Sequence, residues 1–407
     1  MVRAQISLFL AIAVALAISA CSSSDSAEWS DGSTTGSGSN GASTGGGTTT
    51  GGTTTGGTTT GGTTTGGTTT GGTTTGGTTT GGTTTGGTTP PPGSQPFATR
   101  CVAPGVIKCV SFDSAADIAG GFGSNSGIFA NSSGVKPAID TTVKASGAGS
   151  LMFTIPANSS ADSSGSYFTN FSPDLLTQFG ANAVFYVQWR QRFSPEFINT
   201  FYTSVFGGGA NGWKQVIVGA GDQAGGTLTT SCTELETVVQ NTYQTKFPQM
   251  YNSCSGSTSH GAFYSFEEPF GNSDFKKQNA RPSPFCLYSQ GPNNYFPPNG
   301  NCFGYVANEW MTFQVRIQTG PRLTTGLQDE WINSLVTLWV ARFNSVSEKV
   351  IEFSINLSAG DPSQDLKFGK VWLLPYHTNK DPNQTNLVAH TWYDELIIST
   401  QPIADAQ

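Results

Sequence analysis

Charge is scarce in this 407-residue chain. Lys and Arg number 19 and Asp and Glu 26, together 11% of residues, where soluble domains carry about 25%. No basic cluster stands out, which argues against nucleic acid as a partner. Histidine is scarcer still: only His260, His377 and His390 occur, and none lies near a cysteine pair, so zinc-ligand spacing is missing. There is no Gly-x-Ser-x-Gly to support a serine nucleophile. The Gly207-Gly208-Gly209 run lacks the following Lys of a phosphate cradle. Helical periodicity is nearly absent. After residues 6–18, no run is long and apolar enough to span a bilayer.

What is present begins at the N-terminus. Residues 1–20 carry one early positive charge, Arg3, then an apolar stretch over 6–18 and Ser19-Ala20 before Cys21. The stretch is short for a span and reads as a secretory signal. Ile18-Ser19-Ala20-Cys21 resembles the bacterial lipobox, which implies cleavage before Cys21, lipidation of its thiol and a membrane partner through that anchor. Ser22 behind it resembles the pattern sent to the outer membrane or cell surface. Residues 21–95 then form a disordered linker: Gly-Gly-Thr-Thr-Thr repeats eight times over 46–85 before Pro90-Pro91-Pro92. With no apolar side chain to bury, nothing offsets the entropy of ordering it. As a flexible tether it reaches on the order of 50 Å.

Residues 101–407 form the folded part. Six cysteines follow Cys21: Cys101, Cys109, Cys232, Cys254, Cys286 and Cys302. An even count in an exported chain predicts three disulfides, with connectivity left open. Nearest-neighbour pairing would join Cys101 to Cys109, Cys232 to Cys254 and Cys286 to Cys302. Strand signals dominate. Residues 184–193 alternate Phe185, Val187, Trp189 and Phe193 against Tyr186, Gln188, Arg190 and Arg192. Residues 310–318 repeat the pattern with Met311, Phe313, Val315 and Ile317 opposite Trp310, Thr312, Gln314 and Arg316. Further strands are expected at 151–155, 213–218, 234–240, 370–376 and 391–399, with a hairpin of 335–343 and 349–355 around Asn344-Ser345. Residues 243–301 read as a long loop excursion. Turn-rich gaps without helices indicate an all-β, antiparallel two-sheet β-sandwich.

The stretch Trp392-Tyr393-Asp394-Glu395-Leu396-Ile397-Ile398-Ser399, followed by Gln401-Pro402-Ile403, resembles the last strand of concanavalin A-like jelly rolls. Trp213-Lys214-Gln215-Val216-Ile217-Val218 and Leu235-Glu236-Thr237-Val238-Val239-Gln240 resemble inner-sheet strands of the same superfamily, and the chain is similar to its bacterial polysaccharide-lyase-like members. The resemblance implies a glycan groove on one sheet and a polysaccharide partner. It also implies β-elimination on uronate polymers if the chain is an enzyme; a non-catalytic adhesive surface protein is the other reading. Ca²⁺ is compatible with such a fold, though no acidic loop motif specifies it and no other cofactor is indicated.

Alternation assigns the polar sets to an outer face. Tyr186, Gln188, Arg190, Glu234, Glu236, Gln314 and Arg316 are then the candidate glycan-binding residues, because amides and guanidinium forks match hydroxyls and carboxylates. A lyase needs a carboxylate neutraliser, a base and an acid. Arg190 or Arg316 with Gln188 or Gln215 are the candidates for the first role and His377 and Tyr393 for the others, with Tyr186, Tyr376 and His390 as further acid/base candidates. The chain departs from the alginate-lyase pattern. Gln215 is followed by Val216 and Ile217 rather than by His two residues on, and the C-terminal Tyr-x-Lys is missing. Glu234 and Glu236 share a strand face at roughly 7 Å, a spacing open to a glycosidase pair. The closing acid of the laminarinase-like Glu-x-Asp-x-x-Glu is absent.

Overall fold

A computed structural model of the chain describes residues 93–119, 126–222, 235–252, 277–288, 291–292, 295–325 and 328–407. The signal, Cys21, the repeat, Cys232, Glu234, Cys254 and His260 lie outside the described residues.

Two antiparallel sheets pack face to face, as the alternation predicts. The nine-stranded sheet runs Arg322–Thr325, Gln328–Ala341, Met311–Gln318, Val184–Phe193, Ala389–Ser399, Ser150–Ile155, Ala138–Asp140; Val106–Val110 also pairs with Ala389–Ser399, and Glu348–Gly360 with Gln328–Ala341. The seven-stranded sheet runs Ser126–Phe129, Ser166–Asn170, Phe368–Leu373, Gly212–Ala220, Glu236–Thr242, Gln249–Asn252, with His377–Thr378 added to Gly212–Ala220. The stretch expected to be only loop carries the Gln249–Asn252 strand. It also carries a small sheet of Lys277–Gln278, Cys286–Tyr288 and Pro298–Asn299. Two of the expected disulfides, Cys101–Cys109 and Cys286–Cys302, are formed.

Aromatic rings fill the space between the sheets. Trp189 stacks on Phe313 at 5.3 Å, Phe193 meets Trp213 at 5.2 Å, and Phe153 meets Tyr393 edge-on at 5.3 Å. These residues come from alternating positions on both sheets, which is how a sandwich of two half-buried surfaces closes its core. A short helix, Pro195–Asn199, caps one end. Pro195 suits the first helical position and the Ser194 hydroxyl accepts from the Phe197 N–H at 3.2 Å.

The outer face of the nine-stranded sheet is not open. The short helix Phe97–Cys101 and the segment 400–407 lie across it as a strap. Gln95 and Ala406 form a parallel bridge. Arg100 reaches down to donate to the Gln188 and Glu395 side chains, and Arg190 donates to the Gln407 carbonyl at 2.7 Å and pairs with Glu395 at 3.5 Å. The Cys101–Cys109 bridge fastens the helix to Val106–Val110.

Glu395 is therefore the one carboxylate shared by two enclosed guanidiniums. Glu395→Ala leaves Arg100 without its carboxylate and Arg190 with only the Gln407 oxygen, and is expected to destabilise the domain by about 3–5 kcal/mol, read as a lower denaturant midpoint. An unchanged midpoint would show that the pairs contribute nothing.

Candidate functional site

The register of the seven-stranded sheet lays out its outer face. Gly127 pairs with Phe168, Phe168 with Trp372, Trp372 with Ile217, Ile217 with Val238 and Val238 with Tyr251. Paired residues share a face, so these six make one row across six strands, spanning about 24 Å at the usual inter-strand spacing. Phe168 and Trp372 stack at 4.2 Å within it. To one side stands a second row containing Lys214, Gln240 and Gln249. To the other stand Asn170, Lys370, Gly219 and Glu236. The floor is closed to solvent at Val238, whereas Trp372, Tyr376 and Gln240 keep partial exposure at its margins.

The two lysines of this face differ. Lys370 is ion-paired with Asp222, which also accepts from the Asn170 amide at 2.8 Å. Burial pushes the Lys370 ammonium below its ordinary pKa, and Asp222 partly restores it. Lys214 is only 8% exposed, and its ammonium sits 5.1 Å from the Tyr376 ring centroid and 6.0 Å from that of Tyr251. Among the described residues no carboxylate pairs with it. Such cation–π contacts offset about 0.5–2 kcal/mol, which is less than the cost of withdrawing an ammonium from water. The arrangement is chemically ready for an anion.

Alternation did not identify Lys214, and the reason is local. Lys214 pairs with Gln240 while Val216 pairs with Val239, leaving Gln215 as an extra residue. This bulge sends the Gln215 side chain into the core, where its Nε2 donates to Gln191 Oε1 at 2.9 Å and its Oε1 accepts from the Tyr305 hydroxyl at 2.6 Å. Gln215 is therefore a core residue and not part of an outer groove.

The other expected catalytic residues are corrected in the same way. Tyr393 is fully buried between the sheets, its hydroxyl donating to the Gln215 carbonyl at 2.8 Å, and burial holds its phenol far above the ordinary range. His377 is fully buried, 4.3 Å from the Tyr202 ring and 5.3 Å from Phe197, with Nδ1 on the Pro375 carbonyl at 2.9 Å. Arg190 is 1% exposed beneath the strap. His390 is half-buried beside Thr154 and Trp392, away from the row.

The expected glycan residues divide between the two sheets. Tyr186, Gln188, Arg190, Gln314 and Arg316 do share the outer face of the nine-stranded sheet, with Gln188 opposite Gln314 and Tyr186 opposite Arg316. The strap occupies much of that face. Ala404 accepts from Gln188 at 3.1 Å, the Ile403 N–H donates to Gln314 at 3.2 Å, and Tyr186 packs on Ile403. Arg316 donates to Gln318 and stays half-buried beyond the strap. Glu236 belongs to the outer face of the opposite sheet. Among the described residues no cluster of His, Cys, Asp and Glu could hold a metal ion.

No protein-family model matches the chain, and no curated protein matches it. Solved structures do. A marine PL-14 alginate lyase from Aplysia kurodai is 10% identical, with a TM-score of 0.44 over 73% of this chain and 99% of that one. An endo-β-1,4-glucuronan lyase from Trichoderma reesei is 13% identical, with a TM-score of 0.34 over 65% of this chain and 87% of that one. The alginate lyase Aly36B is 14% identical, with a TM-score of 0.34 over 72% and 95%.

Burial lowers the His377 pKa from an ordinary 6.5 to about 3. Below pH 6.5 the unfolded chain takes up a proton that the folded one refuses, so stability falls as pH drops from about 6.5 towards 3. His377→Asn, which keeps a donor for Pro375, is expected to flatten that fall by up to about 1.4 kcal/mol per pH unit. Denaturant midpoints measured across this range check it; an unchanged slope would assign the pH dependence to other groups.

Proposed function

We propose that the domain binds uronate-containing polysaccharide on the outer face of the seven-stranded sheet and cleaves it by β-elimination. The observation that carries this reading is Lys214: a nearly enclosed ammonium, flanked by two phenol-bearing rings, with no carboxylate against it among the described residues. A uronate carboxylate supplies the missing charge, and Trp372, the partly exposed ring of the row, backed by Phe168, offers a sugar ring a surface to stack on. The chain as a whole is net negative, at −7, so attraction of an acidic polymer rests on the local cation Lys214 and not on overall charge.

The chemistry follows from the groups present. In β-elimination the C5–H and C4–O bonds break and a C4=C5 double bond forms. One group takes the C5 proton, and another protonates the leaving oxygen. Lys214 beside the carboxylate makes C5 more acidic. Tyr251 and Tyr376, whose rings stand 6.0 and 5.1 Å from that ammonium, serve as base and acid. No water is consumed.

The N-terminal segment belongs to the same proposal. With Cys21 lipidated and the repeat as tether, the domain is held at the bacterial envelope and meets polymers too large to enter the cell.

Lys214→Ala is expected to cut the appearance of unsaturated product from uronate polymers, followed by ultraviolet absorbance, at least about 100-fold, with an unchanged thermal midpoint. Full activity in that variant, or no binding of any uronate polymer by the native chain, would sink the reading. Cys21→Ser is expected to move the protein from the membrane fraction to the soluble one; native protein found soluble and without acyl chains would remove the anchor.

A further inference from the structure

We propose that the bulge at Gln215, locked from behind by Gln191, Tyr305 and Tyr393, is the device that positions the Lys214 ammonium. These four are positioning residues, and the proposal deepens the site described above. It rests on that reading only where polymer binding is concerned.

The argument starts from parity. Ile217 pairs with Val238, and Val216 with Val239. Continued without interruption, the ladder would set Gln215 opposite Gln240, facing outward, and Lys214 opposite Asn241, in the place Trp213 holds against Phe193, Phe197 and Tyr305 in the core. The observed pairing of Lys214 with Gln240 exchanges them. The same strand can therefore present either an amide or an ammonium to the outer face, and the bulge selects the ammonium.

What makes the selection is the core side of the strand. Every polar group of the inserted residue's side chain is met there. Gln191 accepts from Gln215 Nε2, and in turn accepts from Trp189 Nε1 at 3.3 Å and donates to Thr391 Oγ1 at 3.0 Å. Tyr305 donates to Gln215 Oε1 and Tyr393 to the Gln215 carbonyl. Gln191, Gln215 and Tyr393 are wholly shut from solvent, so a partner removed here is not replaced by bulk water. On the outer side the Lys214 N–H donates to the Tyr376 carbonyl at 2.9 Å, which ties the ammonium to one of its two flanking rings. The buried hydroxyls of Tyr305 and Tyr393 touch no substrate. Their effect on chemistry passes through the strand to Lys214.

The test reads the position of Lys214 directly. In the full chain labelled with ¹³C,¹⁵N-lysine, the Lys214 side-chain resonance, assigned with Lys214→Arg, is expected to be displaced upfield by the ring currents of Tyr251 and Tyr376. Tyr305→Phe combined with Tyr393→Phe is expected to remove at least half of that displacement while the other lysine resonances stay in place. Affinity for a uronate polymer is expected to fall about tenfold. Gln215→Leu should do more; if it does not fold, the hydroxyl deletions decide. A Lys214 resonance unchanged in the double variant, or not displaced in the native chain, overturns the proposal. If the native chain binds no uronate polymer, the proposed function fails, and the resonance still decides whether the bulge positions Lys214.

Discussion

A β-strand has two faces and its side chains alternate between them, so one inserted residue exchanges everything beyond it. Much of what this molecule offers to solvent depends on that constraint being broken at two places. In Gly212–Ala220 the insertion at Gln215 turns Lys214 outward. In Ala389–Ser399 the register shifts between Asp394 and Ile397, and Glu395 takes a left-handed φ of 52°. There the irregularity aims a carboxylate at Arg100 and Arg190 beneath the strap, while Tyr393 and Ile398 on either side remain in the core. One bulge turns a cation to the outer face and the other neutralises two.

That contrast separates the two outer faces. On the nine-stranded sheet, Arg100 and Arg190 are met from within the chain by Glu395, and Arg190 also by the Gln407 carbonyl, whereas Arg316 has the neutral Gln318 amide. The strap covers the two guanidiniums that Glu395 pairs. On the seven-stranded sheet Lys370 is likewise matched by Asp222. Lys214 has aromatic rings where the others have carboxylates. Desolvating a charge costs more than ring contacts return, and on the proposed function it is this lysine, not the paired Lys370, that takes the polymer's carboxylate.

How much of this could be read from the residues follows from the same physics. Val184–Phe193 is legible to the residue because its alternation runs unbroken, and the pairing of Gln188 with Gln314 follows once both strands are seen. Gln328–Ala341 is legible as strand through its β-branched and aromatic content, though its pairing with Glu348–Gly360 extends well beyond the expected hairpin. Short edge strands such as Ala138–Asp140 carry too few apolar residues to signal themselves. The strap is hidden for a different reason: Arg100 and Glu395 stand 295 residues apart, and nothing local to either marks the contact. The Gln215 bulge was the costliest omission, since strict alternation assigns Gln215 to the groove and buries Lys214. A signal was nevertheless present. A Lys facing a core built of Trp and Phe is an expensive arrangement, and that cost marks where the parity breaks.

The strap also bears on how the domain would carry load. On the proposal that the segment before residue 93 is a membrane tether, any pull enters the fold near Gln95, which is paired with Ala406. Those few hydrogen bonds would yield first. Beyond them the Cys101–Cys109 bridge bypasses the intervening turn and passes the pull to Val106–Val110, which is paired along Ala389–Ser399 near the middle of the nine-stranded sheet. A pull that reaches a sheet through a covalent bridge loads many ladder bonds together, whereas a fraying terminus would lose them singly. The candidate site lies on the other sheet, across the aromatic core from that path. On that proposal, tension and the aim of Lys214 are carried by different strands, and the first can vary without disturbing the second.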